Sequence, residues 1–244
     1  VEEKSMFRFG LLTKITNNRV LACRWACIMI GNLDGDLIAF RCSASVGLEG
    51  EEEIAILRTD KLMRDLLYNT ESTSYNCYLS GRNNFRKKVN LDYKANRKDK
   101  EPPRWLQSCR EYLIKEWNAV VSEGCEADDL LGINQHNTDS VCISLDKDLL
   151  MITGWHFRWL DNEKIFVTPD QGLKAFYKQM LIGDKSDNIF GVRGIGPVKA
   201  AGIIDTLDTE EEMINTVFKM YEEDAERFWM NAQCLWIMQR ENET

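Results

Sequence analysis

Short apolar segments that end at acidic residues recur along this chain of 244 residues. The run at residues 28–33 ends at Asp34, and the β-rich run at residues 140–145 ends at Asp146. Segments with helical periodicity, such as residues 51–68, separate these candidate strands. Alternation of this kind is typical of an α/β fold with a mostly parallel sheet. Because ligands gather at the carboxyl ends of parallel strands, Asp34 and Asp146 are predicted to lie at one functional site.

Two more acidic clusters extend the pattern, at residues 126–129 and 184–187. Each cluster alone also fits a capped helix or a polar turn, because acidic side chains favour helix N-termini. Carboxylates brought together from distant segments repel one another unless a cation lies between them. Oxygen ligands suit Mg²⁺ or Mn²⁺, so the clusters together favour a metal site. The candidate ligands are Asp34, Glu126, Asp128, Asp129, Asp146, Asp148, Asp184 and Asp187.

The composition narrows the class of protein. Hydrophobic residues make up 44% of the chain, which is enough for a sizeable core. The eight cysteines are scattered and form no CxxC pair, and there are only two histidines, so a structural zinc site is not expected. Reduced thiols fit a cytoplasmic protein. With no secretory signal and no apolar run of about 20 residues, we expect no membrane partner.

The net charge of −8 does not exclude a nucleic-acid partner. Nine of the 39 acidic residues lie in the clusters that end or begin these segments, and the remaining acidic residues almost balance the 31 basic ones. Bound divalent ions would offset much of the clustered charge.

Residues 82–104 form a basic segment, in which basic residues outnumber acidic ones by nine to three. A basic run is commonly a solvated face. Here Tyr93 could stack on a base, while Arg86, Lys94 and Arg97 supply charge for phosphates, so the combination favours nucleic-acid binding.

A glycine-rich hairpin at residues 191–197 precedes a predicted helix. It could be only a tight turn between packed helices. Yet backbone N–H groups at a helix start can hold a phosphate, and Lys199 adds a cation in the first turn of the helix. Gly194, Gly196 and Lys199 are therefore candidate DNA-binding residues.

These motifs, in this order, resemble the 5′ nuclease (flap endonuclease) superfamily, particularly bacteriophage 5′–3′ exonucleases and the 5′ nuclease domain of bacterial DNA polymerase I. The resemblance covers about residues 28–205. The matching stretches are residues 34–35, 93–97, 126–129, 146–148 and 183–199.

The resemblance implies a PIN-like α/β nuclease core and a helical subdomain with a helix–three-turn–helix element. The sequence becomes helical in character from about Thr168, which places the core at residues 1–168 and the subdomain at residues 169–244. The resemblance also implies a monomeric Mg²⁺-dependent enzyme of DNA replication, with two metal ions, that cuts DNA at 5′ ends or flaps. Lys94 and Arg97 match basic residues that act on the scissile phosphate. Val192 and Ile195 match positions around a K⁺ ion. The residues that match the first metal are Asp34, Glu126, Asp128 and Asp146, and those that match the second are Asp129, Asp148, Asp184 and Asp187.

The chain departs from its relatives at two places. Many relatives have an aspartate after the strand that matches residues 75–79, where this chain has Ser80. The segment between Arg97 and Glu126 is short for a full threading arch. Two alternatives therefore stay open: a structure-specific DNA-binding protein with a weakened metal site, and a PIN-type RNA nuclease.

Overall fold

The structure, a computed structural model, describes residues 29–97, 101–137, 139–241 and 243. The pair Asn17-Asn18 predicts a turn between two short strands; this turn and residue 28 of the first predicted strand lie outside these ranges. The strands are β1 (Ile30–Asp34), β2 (Ser74–Leu79), β3 (Val120–Val121), β4 (Ser140–Ile143), β5 (Gly154–Arg158), β6 (Glu163–Val167), β7 (Gly183–Asp184) and β8 (Ile189–Phe190). The helices are α1 (Gly35–Val46), α2 (Glu52–Asn69), α3 (Arg86–Val89), α4 (Leu106–Trp117), α5 (Ala127–Asn137), α6 (Pro169–Ile182), α7 (Pro197–Ile204), α8 (Glu210–Met220) and α9 (Ala225–Leu235).

A six-stranded sheet in the order β3-β2-β1-β4-β5-β6 forms the centre of the described molecule. Its neighbouring strands run parallel except β5 and β6, which are antiparallel. The predicted α/β fold with a mostly parallel sheet is therefore confirmed. The β-rich run predicted at residues 140–145 forms a shorter strand, because the chain turns at Ser144 towards the acidic cluster.

Alternation along the strands explains why the sheet is covered on both faces. Leu79, Val141 and Ile143 face one hydrophobic cluster, in which α1, α2 and α4 pack. Tyr78 and Cys142, which alternate with them, face a second cluster that contains α5 and the C-terminal helices. Since successive side chains of a strand point to opposite faces, both faces of these short strands are apolar and need a layer of helices.

The C-terminal region packs onto this second face of the sheet. Helix α6 begins at Pro169 as expected, and the Thr168 and Gln171 side chains cap it reciprocally. Apolar side chains on both sides of residue 168 share one cluster, so the division into domains at that point stays a prediction.

The amphipathic pattern of residues 210–239 predicts a helical tail, and the structure divides this stretch into two helices, of which α8 is the first. The helix stops at Met220, Glu222 and Glu223 take left-handed backbone angles (φ 57° and 59°), and Asp224 caps a new helix. The break lets α8 and α9 both pack against α6. Within the described part of the chain, every helix is too short or too polar to span a lipid bilayer.

Candidate active site

Seven of the eight candidate metal ligands line one cavity of about 450 Å³. The cavity lies where β1, β4 and β7 end and α5 begins. Three cationic side chains, Lys94, Arg97 and Arg110, line it as well. The seven ligand candidates are Asp34, Glu126, Asp128, Asp146, Asp148, Asp184 and Asp187. A larger groove of about 620 Å³ lies between α6, α8 and α9. It is lined mainly by aromatic and aliphatic side chains and does not bring acidic and basic side chains together as the cavity does.

Asp34 is the last residue of β1 and the N-cap of α1. Its carboxylate accepts hydrogen bonds from the Leu37 backbone N–H (3.0 Å) and the Ser144 hydroxyl (2.7 Å). Burial, with a smaller contribution from the nearby charge of Asp146, raises the pKa of Asp34 to about 6 despite these bonds. The strand end thus fixes a carboxylate that is hard to ionise without a cation.

Asp128 lies in the first turn of α5, beside the carboxylates that end the strands. Burial raises its pKa well above the ordinary value, and the charges of Asp34, Asp146 and Glu126 raise it further. Like charges brought this close favour either a shared proton or a bound cation.

The loop after β4 carries Asp146 and Asp148, which both line the cavity. Asp146 accepts a hydrogen bond from the backbone N–H of Asp148 (2.9 Å), and its own N–H donates to Ser144 (3.0 Å). Burial raises the pKa of Asp148 to about 6, and repulsion by Asp146 and Asp184 adds to the effect. Asp148 is therefore repelled both by Asp146, on the same loop, and by Asp184, in β7. The polar residue Ser144, which sequence reasoning missed, positions both Asp34 and Asp146; its place directly after a buried strand was the available signal.

Lys94 joins the basic segment to the acidic cavity. Its ammonium group pairs with Glu126 and lies 3.5 Å from Asp187. Burial alone would raise the pKa of Glu126, but the charge and hydrogen bond of Lys94 outweigh it and lower that pKa. The Lys94 backbone is left-handed (φ 57°), and its N–H donates to the carbonyl of Asp187 at 2.9 Å. Arg97 pairs with the same Asp187 at 2.6 Å, so both cations are held at the rim of the cavity.

The structure places the eighth ligand candidate, Asp129, and its partner Arg86 outside the lining of the cavity. Asp129 is fully buried and forms two hydrogen bonds of 2.6 and 2.8 Å with Arg86, which is itself buried. Asp129 also accepts from the backbone of Met238, and Arg86 donates to the carbonyls of Cys234 and Trp236. The two side chains are thus engaged with each other and with the C-terminal segment, which they hold against α5. Metal binding by Asp129 and DNA binding by Arg86 stay predictions.

Tyr93, for which the sequence predicts stacking on a DNA base, is turned inward in the structure. Its side chain is only 4% exposed. Its hydroxyl lies 2.9 Å from Glu126 and 2.8 Å from Asp187. The tyrosine hydroxyl therefore lies between two carboxylates that line the cavity. A basic and aromatic sequence pattern does not reveal this role.

The glycine hairpin forms a turn between β8 and α7. Gly194 has a left-handed backbone (φ 79°), Gly196 caps α7 in an extended conformation, and no atoms of the described structure crowd either residue. The Lys199 ammonium donates to the Gly194 carbonyl at 3.1 Å, and the Ile195 N–H donates to the carbonyl of Val192 at 3.2 Å. The hairpin backbone is thus open to a partner, while its potassium site stays a prediction.

The donor set fits a hard divalent cation, because the cavity offers carboxylate oxygens and no sulfur or imidazole ligand among its lining residues. In the described ranges, no three His, Cys, Asp or Glu side chains are already set at the spacing of a closed metal cage. Mg²⁺ retains several waters and needs only one or two direct carboxylate ligands. The lining therefore fits a hard divalent cation that keeps part of its water shell.

Sequence comparison finds relatives named as DNA polymerase I, flap endonuclease Xni and a 5′-3′ exonuclease. No protein-family model matches the chain. It is 34% identical to DNA polymerase I of Borreliella burgdorferi over 147 residues, which are 51% of this chain and 16% of the relative. It is 28% identical to flap endonuclease Xni of Aliivibrio fischeri over 186 residues, which are 65% of this chain and 69% of the relative. It is 32% identical to a 5′-3′ exonuclease of Mycoplasma pneumoniae over 120 residues, 40% of each chain. The chain spans well under two thirds of the length of several of these relatives.

Structural comparison agrees with the sequence comparison. The T5 5′-exonuclease, solved with divalent metal ions (zinc) bound, superposes with a TM-score of 0.66 at 18% identity over 84% of this chain and 88% of that one. The catalytic core of Rad2 in complex with DNA substrate gives 0.51 at 13% identity over 84% and 73%. These matches confirm the fold expected from the motifs. In sequence and in fold, the chain is therefore similar to the 5′ nucleases, a group that includes flap endonucleases and phage exonucleases.

Proposed function

We propose that this protein is a Mg²⁺-dependent 5′ nuclease that hydrolyses phosphodiester bonds at 5′ ends or flaps of DNA. The observation that carries the proposal is the single cavity in which carboxylates from four separate segments meet the cations Lys94 and Arg97. A fold shared with nucleases solved with metal ions or with DNA supports it.

The carboxylates divide into two groups that would hold the metal ions. Asp34, Glu126, Asp128 and Asp146 form the first group, and Asp148, Asp184 and Asp187 form the second. Bound divalent ions would activate a water molecule and stabilise the leaving oxygen. The raised pKa values of Asp34 and Asp148 support this role, because a cation would favour the charged carboxylates that burial disfavours.

The chain's own cations would position the DNA. Lys94 and Arg97 lie beside Asp187 at the cavity rim, where they would orient the scissile phosphate and stabilise the charge that develops on it. The open backbone of the hairpin and Lys199 would hold a phosphate of the duplex part of the substrate, with a K⁺ ion bound near Val192 and Ile195.

The proposed function is tested with end-labelled nicked, flap, duplex and single-stranded DNA, in Mg²⁺ and in chelator. We expect cleavage of substrates with 5′ ends or flaps that chelator abolishes. Tight binding without cleavage in Mg²⁺ or Mn²⁺ would favour the structure-specific DNA-binding alternative. Preferential cleavage of a matched RNA would favour the PIN-type RNA nuclease.

Lys94→Ala is expected to lower the single-turnover cleavage rate by about 10²-fold at saturating enzyme, the scale for losing one electrostatic stabiliser. DNA affinity should fall much less, because other cations of the basic segment still contact phosphates. Lys88→Ala is the matched control, since it removes one exposed charge from the same segment but lies outside the cavity. An unchanged maximal rate for Lys94→Ala would remove Lys94 from the reaction.

Gly194→Val is expected to weaken duplex binding more than single-strand binding. A β-branched residue at φ 79° is strained, by about 1–2 kcal/mol for a left-handed residue, and its side chain would also shield the backbone from a phosphate. Fluorescence anisotropy with both DNA forms measures the difference. Gly202→Val, on the exposed side of α7, is the control for loss of packing; equal losses for both DNA forms would point to a hairpin without a DNA role.

A further inference from the structure

Asp36, which follows Asp34 by two residues, has no role in the assignments above. It lies in the first turn of α1, and its side chain lines the same cavity as Asp34, Asp128 and Asp146. Its side chain is 31% exposed, and both oxygens of its carboxylate have a partner. One oxygen accepts the backbone N–H of Ser80 at 2.7 Å, and the other pairs with the guanidinium of Arg110.

These contacts fix Asp36 at the carboxyl end of β2. Ser80 directly follows that strand and itself carries no charge; its hydroxyl accepts the N–H of Ala127 at the start of α5. Arg110, on α4, also donates to the Ser80 carbonyl at 2.7 Å. Asp34 ends the neighbouring strand β1, so Asp36 brings a second carboxylate to the adjoining strand end from a different element.

We propose that Asp36 is a further carboxylate of the metal site, acting from α1 at the end of β2, and that Ser80 and Arg110 hold it in position. This inference rests on the proposed function. It names a ligand group, direct or through a metal-bound water, for a divalent cation of the Mg²⁺ or Mn²⁺ type.

The chemistry of the three groups supports this role over that of a simple ion pair. Each carboxylate oxygen has two lone pairs, and the contacts described use one on each, so Asp36 retains acceptor capacity towards the cavity. Carboxylates that ligate metals are characteristically oriented by hydrogen bonds from neighbouring groups. Arg110 also offsets the charge of Asp36 inside a strongly acidic cavity, which lowers the cost of placing it there.

Mn²⁺ titration by calorimetry, with metal-dependent thermal shift as a second readout, tests the inference without DNA. Asp36→Asn keeps the shape of the side chain and should weaken Mn²⁺ binding by about tenfold, the scale for residues that support a metal site. The double variant Asp36→Asn/Ser80→Asp returns a carboxylate to the end of β2 and should recover most of the affinity. Asp65→Asn, which removes an exposed charge on α2, is the control and should bind as the wild type does.

The outcomes separate this inference from the proposed function. Equal Mn²⁺ affinity in Asp36→Asn and the wild type would overturn it and leave Asp36 as a partner of Arg110. A loss that Ser80→Asp does not restore, in a double variant that folds by circular dichroism, would overturn the placement at the end of β2. A wild-type protein that binds no Mn²⁺ would instead refute the proposed function itself.

Discussion

Replacing Arg86 with methionine is expected to lower the free energy of unfolding by about 3–5 kcal/mol, because it leaves the charge of Asp129 buried without its partner. The Arg86 and Asp129 side chains are 3% and 0% exposed. The backbone carbonyls of Cys234 and Trp236 would lose their donors at the same time. Urea denaturation measures the loss.

The control for this change is Lys61→Met, which breaks the pair between Lys61 and Asp65. Those side chains are 71% and 51% exposed, so the loss should stay below about 1 kcal/mol. A similar small loss for Arg86→Met would show that the buried pair contributes little and that its energetic role here is wrong.

Asp128→Asn is expected to abolish most cleavage, with a single-turnover rate at least about 10²-fold lower, while making the metal-free protein more stable at neutral pH. The pKa of Asp128 is raised in the folded state, so folding is penalised when the group must ionise. The penalty is absent at low pH, where the carboxyl is protonated in both states, and grows as the pH rises. Asparagine removes both the penalty and the ligand charge.

Thermal melts from pH 4 to pH 8 in chelator, compared with the wild type, measure this effect. The stability gain of Asp128→Asn should grow as the pH rises. Adding Mg²⁺ should stabilise the wild type more at pH 7.5 than at pH 5, because Asp34 and Asp148, with pKa values of about 6, are then mostly charged. A variant that is destabilised at every pH would contradict the repulsion described around Asp128.

The strand-and-acid pattern predicted the fold and most of the cavity for a definite physical reason. Parallel strands of similar length place their carboxyl ends at one edge, so Asp34 and Asp146 had to meet whatever the loops did. The same argument does not distinguish Asp129 from Asp128, because both lie in the first turn of α5. The side chains of adjacent helical residues point about 100° apart. Which of the two lines the cavity depends on the side chain with which the other one pairs. Asp129's partner, Arg86, lies 43 positions earlier and is visible only in the folded structure.

The sequence pattern also does not show why Tyr93 is buried or why the C-terminal stretch divides into two helices. A basic segment predicts an exposed surface, yet Tyr93 is drawn inward because its hydroxyl has two carboxylate acceptors there. The amphipathic period continues through residues 221–224, so the sequence pattern alone cannot show the break; the left-handed turn at Glu222 and Glu223 and the cap at Asp224 create it.

The contacts of Arg86 and Asp129 with residues 234–238 have a consequence for how the protein can be shortened or fused. Removing the chain from Cys234 onward would strip hydrogen-bond partners from an ion pair that lies directly beneath the start of α5. Glu126, whose N–H donates to Asp129, and Asp128 would then lose their rigid support. We therefore expect residues 234–238 to hold the carboxylates of the cavity in place, so that proteolytic trimming there disorders the cavity without removing any residue that lines it.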